Sequence, residues 1–97
     1  DMADACVFLL ENYSDFEHVN VGSGVEHSIL ETARMVARAV GFEGEIATDT
    51  TKPDGAPRKL LDSEKLFGMG WKYRIWFEDG LRNAYSAFCS GIRCGAV

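Results

Sequence analysis

The only two prolines of this 97-residue chain stand in one run, Lys52-Pro53-Asp54-Gly55-Ala56-Pro57-Arg58-Lys59. No other feature constrains the fold as much. Each proline fixes φ and removes a backbone donor, and the glycine between them relaxes the chain, so the run is a shaped loop and neither helix nor central strand. Three cations and one carboxylate give it +2 and leave −7 for the rest of a chain whose net charge is −5. A basic loop on an acidic body points to an anionic ligand.

At 46% hydrophobic residues the chain has enough apolar material for one domain. At this size a folded chain buries roughly two-thirds of its unfolded surface, so one compact α/β unit is the ceiling. Nucleic-acid binding is excluded, because it needs a broad cationic face and not one short loop. No apolar run approaches the roughly 20 residues of a membrane span, and no signal peptide opens the chain, so the protein reads as soluble and without a membrane partner. Cys6, Cys89 and Cys94 are odd in number and show no C-x-x-C spacing, as expected of reduced thiols in a cytoplasmic protein. Together with His18 and His27 they match no metal-ligand spacing, so no metal is expected.

Met2, Cys6, Leu9 and Tyr13 recur at helical spacing, with Asp1 placed to cap. Ala3, Ala5, Val7, Phe8 and Leu10 make the other face apolar too, so this helix is expected to be buried nearly all round. A buried helix at the start implies an upstream domain. Residues 17–21 alternate as a short strand, with Val19 and Val21 on one face, and Gly22-Ser23-Gly24 ends it. A dinucleotide loop would need a third glycine where His27 stands, so this is a plain turn into a helix. Ser28 and Glu31 form a capping box, Ile29, Ala33, Val36, Ala37 and Val40 a buried stripe, and Gly41 a left-handed stop.

Residues 45–50 read as a second strand whose end delivers the basic loop, the position where α/β folds bind ligands. Asp62 caps a short helix through Leu66 and Phe67 that stops at Gly68–Gly70, and Trp71 is a core aromatic. Phe77, Leu81, Ala84, Tyr85 and Phe88 form the core stripe of a last helix ending by Ser90 or Gly91, and residues 89–97 read as a tail.

No nucleophile and base pair is legible. Lys59 offers a point charge, Arg58 a planar fork suited to phosphate oxygens, and Asp54 an acceptor for sugar hydroxyls. That is the set a nucleotide sugar requires, but ordinary solvated loops carry it as well, and the residues alone leave both readings open.

The run from Lys52 through Leu60-Leu61-Asp62 closely resembles the K-P-D-G-T-P-R-K-L-L-D signature of the GDP-L-fucose synthase family. Asp1-Met2-Ala3-Asp4-Ala5 resembles its D-D-[LM]-A-D-A helix start, and His18-Val19-Asn20-Val21-Gly22-Ser23-Gly24 its H-[IV]-N-[IV]-G-[ST]-G segment. Gly70-Trp71 and Asp79-Gly80-Leu81 keep the register, so the likeness covers residues 1–88. Ala56, Met69 and Trp76 depart from the usual threonine, leucine and small residue.

The resemblance implies an extended short-chain dehydrogenase/reductase. Residues 1–88 would be its C-terminal substrate-binding part, with the Rossmann core absent. It implies an NADPH-dependent epimerase and reductase that converts GDP-4-keto-6-deoxy-D-mannose to GDP-L-fucose, cytoplasmic and homodimeric. Asp54 and Lys59 align with positions that contact the GDP-sugar, and Arg58 beside them either joins in or braces the loop. The family's catalytic tyrosine and lysine stand four apart, but Glu17, Phe77 and Cys89 follow Tyr13, Tyr73 and Tyr85 at that distance. NADP and the catalytic groups are therefore expected in an upstream domain, and the 97 residues alone are expected to be inactive. Another nucleotide-sugar epimerase, dehydratase or reductase, or a non-catalytic binding domain, would carry the same loop.

Overall fold

The computed structural model describes residues 1–93, among which four helices form. These are α1 (Met2–Asn12), α2 (Ile29–Val40), α3 (Glu64–Gly68) and α4 (Phe77–Arg93). Two compact units result where one was expected, each assembled from two stretches of chain: Asp1–Glu26 with Asp54–Arg74, and His27–Pro53 with Ile75–Val97.

The first unit holds α1 and α3. Ala5, Leu66 and Trp71 form its core, and Phe8, Leu9, Val19, Val21, Phe67 and Tyr73 pack against it. Leu66 is fully buried, a contribution of about 1.5–3 kcal/mol. Trp71 is a core aromatic, as predicted, and its indole N–H donates to the Asp4 carboxylate at 2.9 Å, so the ring is buried without an unpaired donor. Asp62 is not the predicted cap, since Ser63 stands at the N-cap of α3 without a side-chain cap bond; the Asp62 carboxylate, one residue earlier, accepts from the Glu64 N–H at 3.0 Å. Asp1 stands at the N-cap of α1, as predicted, but its side chain makes no cap bond and its carboxylate instead accepts from the Arg74 backbone N–H at 3.1 Å. Nor is α1 buried all round, because only the Ala5, Phe8 and Leu9 side meets a partner; Met2, Val7 and Leu10 are exposed, Leu10 at 85%.

The second unit is the α2 and α4 pair. Both bonds of the capping box are made, Glu31 N–H to Ser28 Oγ at 3.1 Å and Ser28 N–H to Glu31 Oε2 at 2.7 Å. Gly41 takes φ 74°, where a Cβ would be strained, and stops the helix. Arg38 pairs with Glu78 at 2.5 Å, and the His27 ring stacks on Phe77 with centroids 5.3 Å apart.

The predicted stripes are largely uncovered. Ile29 is 87% exposed and Met35 is the buried residue of α2, while Phe77, Tyr85 and Phe88 on α4 are also exposed. Periodicity identifies the apolar face of a helix but not what covers it, and a pair of helices covers each face only where the two meet. The last helix also runs to Arg93, past Ser90 and Gly91, so residues 89–93 of the predicted tail are helical. Cys94 to Val97 lie outside the described residues.

Neither predicted strand is formed, and no strand occurs among the described residues. Val19 and Val21 turn toward the core as their alternation requires, but a strand needs a neighbouring ladder, and residues 17–21 have none. At 45–50 a local turn competes: the Asp49 carboxylate accepts from the Thr51 N–H at 3.0 Å and from its hydroxyl at 2.6 Å. Those bonds hold the Asp49 carboxyl below the usual range, the hydroxyl first.

Candidate functional site

Asp54, Arg58 and Lys59 all belong to the first unit, on an irregular segment whose residues are exposed from Thr51 to Asp62. The segment is held at its downstream end, where the Asn20 side-chain amide donates to the Asp62 carbonyl at 3.3 Å and α3 follows at once with Leu66 in the core. Gly55 has no positive φ, and open space lies where its Cβ would stand, so nothing among the described residues requires a glycine there.

The three candidate residues differ in their partners. Arg58 is engaged: Nε donates to Glu26 Oε1 at 2.7 Å and Nη2 to Glu26 Oε2 at 2.5 Å, a two-pronged pair. This hydrogen bonding holds the Glu26 carboxyl below the usual range and pushes the Arg58 guanidinium up. Lys59 and Asp54, by contrast, make no hydrogen bond or ion pair among the described residues. One cation of the segment is therefore neutralised, and the neighbouring cation and carboxylate are left to meet something else.

Glu26 is the residue that sequence reasoning missed. It stands on the turn after Gly22-Ser23-Gly24, where Ser23 Oγ accepts from the Val25 N–H at 3.2 Å and Gly24 takes φ 78°. Gly22 lies against Ser63 and Leu61, close enough that a Cβ would stand 3.3 Å from the serine oxygen. Glu26 and Arg58 are 32 residues apart, so no local pattern links them.

A tyrosine and a lysine do meet in this unit, though not four apart in sequence. Lys65 Nζ donates to the Tyr13 hydroxyl at 3.0 Å, and that hydroxyl donates to the Glu17 carbonyl at 2.9 Å. The Tyr13 hydroxyl raises the Lys65 ammonium pKa above its usual range. With its hydroxyl bonded to both Lys65 and the Glu17 carbonyl, Tyr13 clasps α3 to the segment that follows α1. Two hollows on this unit, of about 380 and 690 Å³, are lined by such residues as Asp4 and Trp71 and by Phe16 and Lys65; neither includes Asp54, Arg58 or Lys59.

The residues present do not fit NADP. Gly22-Ser23-Gly24 follows no strand, and His27 occupies the third glycine position. Among the described residues no group of three His, Cys, Asp or Glu side chains is placed to hold a metal ion. No helix among them is long and apolar enough to cross a membrane.

No family model matches the chain. Curated relatives do. It is 55% identical over 92 residues to a putative GDP-L-fucose synthase 2 of Arabidopsis thaliana, covering 95% of this chain and 28% of that protein. It is 54% identical to a GDP-L-fucose synthase of Sinorhizobium fredii, covering 95% and 29%. Among solved structures, a GDP-6-OMe-4-keto-L-xylo-heptose reductase from C. jejuni superposes with a TM-score of 0.83 at 33% identity, covering 93% of this chain and 29% of that one. A GDP-mannoheptose C4 reductase from Campylobacter jejuni, with NADP bound, gives 0.76 at 35%, covering 91% and 29%. The chain thus spans under a third of its relatives' length, and its helices superpose on part of those two reductases, with no strand of a Rossmann core among the described residues. Over 95% of its residues the chain is 48–55% identical to GDP-L-fucose synthases, of whose own length it spans 28–29%.

Proposed function

We propose that the protein bearing this chain converts GDP-4-keto-6-deoxy-D-mannose to GDP-L-fucose with NADPH, and that residues 1–88 supply its sugar-nucleotide clamp. The observation that carries this reading is the contrast within one exposed segment: Arg58 is tied to Glu26, while Lys59 and Asp54 have no partner among the described residues. Lys59 then neutralises the diphosphate as a point charge with three donors, and Asp54 accepts from hydroxyls of the nucleotide sugar. Arg58 braces the segment from the side. NADPH, bound elsewhere in the protein, would supply the hydride, and this chain's part is to hold and orient the sugar nucleotide.

The whole protein is read as a cytoplasmic homodimer, in keeping with the family resemblance and with the free thiols of Cys6 and Cys89. A second reading, reduction of a different GDP-sugar, is favoured by the GDP-heptose reductases among the structural neighbours. Comparison of kcat/KM for the keto-deoxymannose and keto-heptose substrates separates the two.

The deciding experiment is Lys59→Ala in the full-length protein. It should weaken GDP-sugar binding by about 1.5–3 kcal/mol, the range of a hydrogen bond to a charged group, and so raise KM roughly tenfold or more. An unchanged KM would remove Lys59 from the site.

A further inference from the structure

Glu26 lies outside the basic run, yet its carboxylate takes two arms of the Arg58 guanidinium. We propose that Glu26 is a positioning residue of the sugar-nucleotide site, acting through Arg58 to fix the segment that presents Asp54 and Lys59. This rests on the assignment of that segment as the GDP-sugar clamp.

The segment needs such a tether. Among the described residues no backbone hydrogen bond pins residues 54–61, and all of them are exposed. Its fixed points are the Asn20 bond to the Asp62 carbonyl downstream and the Arg58 fork, one residue before Lys59. A single contact sets a distance, whereas two parallel N–H···O bonds also set the orientation of the plane. The post itself is firm, because Glu26 follows a turn that is locked by Ser23, shaped by the positive φ of Gly24, and seated through Gly22 against Leu61 and Ser63.

Charge makes the inference decidable. Glu26 neutralises Arg58, so its removal would have opposite effects under two roles. If the carboxylate is a brace, losing it loosens the clamp and weakens binding. If it merely competes with the diphosphate for Arg58, losing it frees a second cation and tightens binding.

The experiment measures KM and kcat for GDP-4-keto-6-deoxy-D-mannose, and GDP affinity by titration calorimetry, on the full-length protein. E26Q is expected to raise KM and the GDP dissociation constant about two- to fivefold, the span of an exposed ion pair, with kcat at saturation unchanged. Exchanging the partners, Glu26→Arg with Arg58→Glu, should bring both constants back to within about twofold of wild type. Unchanged or tighter binding in E26Q overturns the proposal. So does an exchange variant worse than E26Q, because Arg58 would then touch the diphosphate itself. Should E26Q not fold, R58K keeps the charge but loses the fork and must show the same rise in KM. A wild-type protein that binds no GDP would instead sink the clamp assignment, and a loss seen with K59A but not with E26Q would sink Glu26 alone.

Discussion

Ser63 is the one residue whose polar group is buried without a partner among the described residues. Its side chain is 3% exposed, and its hydroxyl neither caps α3 nor accepts or donates elsewhere. A buried hydroxyl with no hydrogen bond forfeits its hydration, so Ser63→Ala should raise stability by about 1 kcal/mol, read from the denaturant midpoint. The same change removes the oxygen that a Cβ at Gly22 would meet at 3.3 Å, so Gly22→Ala should be better tolerated in that background. A loss of stability in Ser63→Ala would show that the hydroxyl has a partner in solution. The site itself was partly legible at this scale: Asp54, Arg58 and Lys59 stand in one run of sequence, and their charges are visible there. That Arg58 is engaged and Lys59 is not was invisible, because the difference is made by Glu26, 32 residues away.

Helix ends with side-chain chemistry behind them were readable from sequence. The Ser28 and Glu31 box and the Gly41 stop fall where local rules put them, since both bonds of the box form within four residues. Strands at 17–21 and 45–50 were not, because pairing depends on a partner that local alternation does not specify. The box also makes a pH prediction for the second unit. Hydrogen bonds from the Ser28 backbone and hydroxyl hold the Glu31 carboxyl below its usual range, and Arg38 does the same for Glu78. Folded-state values below the unfolded ones mean that the folded chain binds fewer protons. This stabilisation is therefore present above the ordinary glutamate pKa of about 4.3 and is lost as pH falls through the lowered values. Glutamine can still close the box but does not titrate there, so Glu31→Gln should flatten the fall of melting temperature below about pH 4.3 while the helix still forms. Circular-dichroism melts from neutral to acid pH would show this, and parallel curves for the two proteins would place the acid sensitivity elsewhere.

At the scale of the whole molecule, the described residues enclose little apolar surface. Among the described residues only Ala5, Met35, Leu66 and Trp71 are buried hydrophobics. The first unit leaves Met2, Val7, Leu10 and Phe16 in solvent, Phe16 at 97% exposure, and the second leaves Ile29, Trp76 and Phe88. Units of about 50 residues bury too small a fraction of their surface to be strongly stable by themselves. Apolar surface of this kind is commonly a contact surface, and relatives of which this chain spans 28% have far more protein with which to cover it. Produced as 97 residues alone, the chain should therefore self-associate at micromolar concentration. The net charge of −5 opposes association, and salt screens that repulsion over about 10 Å at 0.1 M, so association should strengthen as ionic strength rises. Sedimentation velocity over a range of protein and salt concentrations tests both statements. Leu10→Lys, at 85% exposure on α1, should shift the distribution toward monomer without loss of helix signal. A concentration-independent, sharply melting monomer would mean that these faces are covered in solution by a rearrangement of the chain itself.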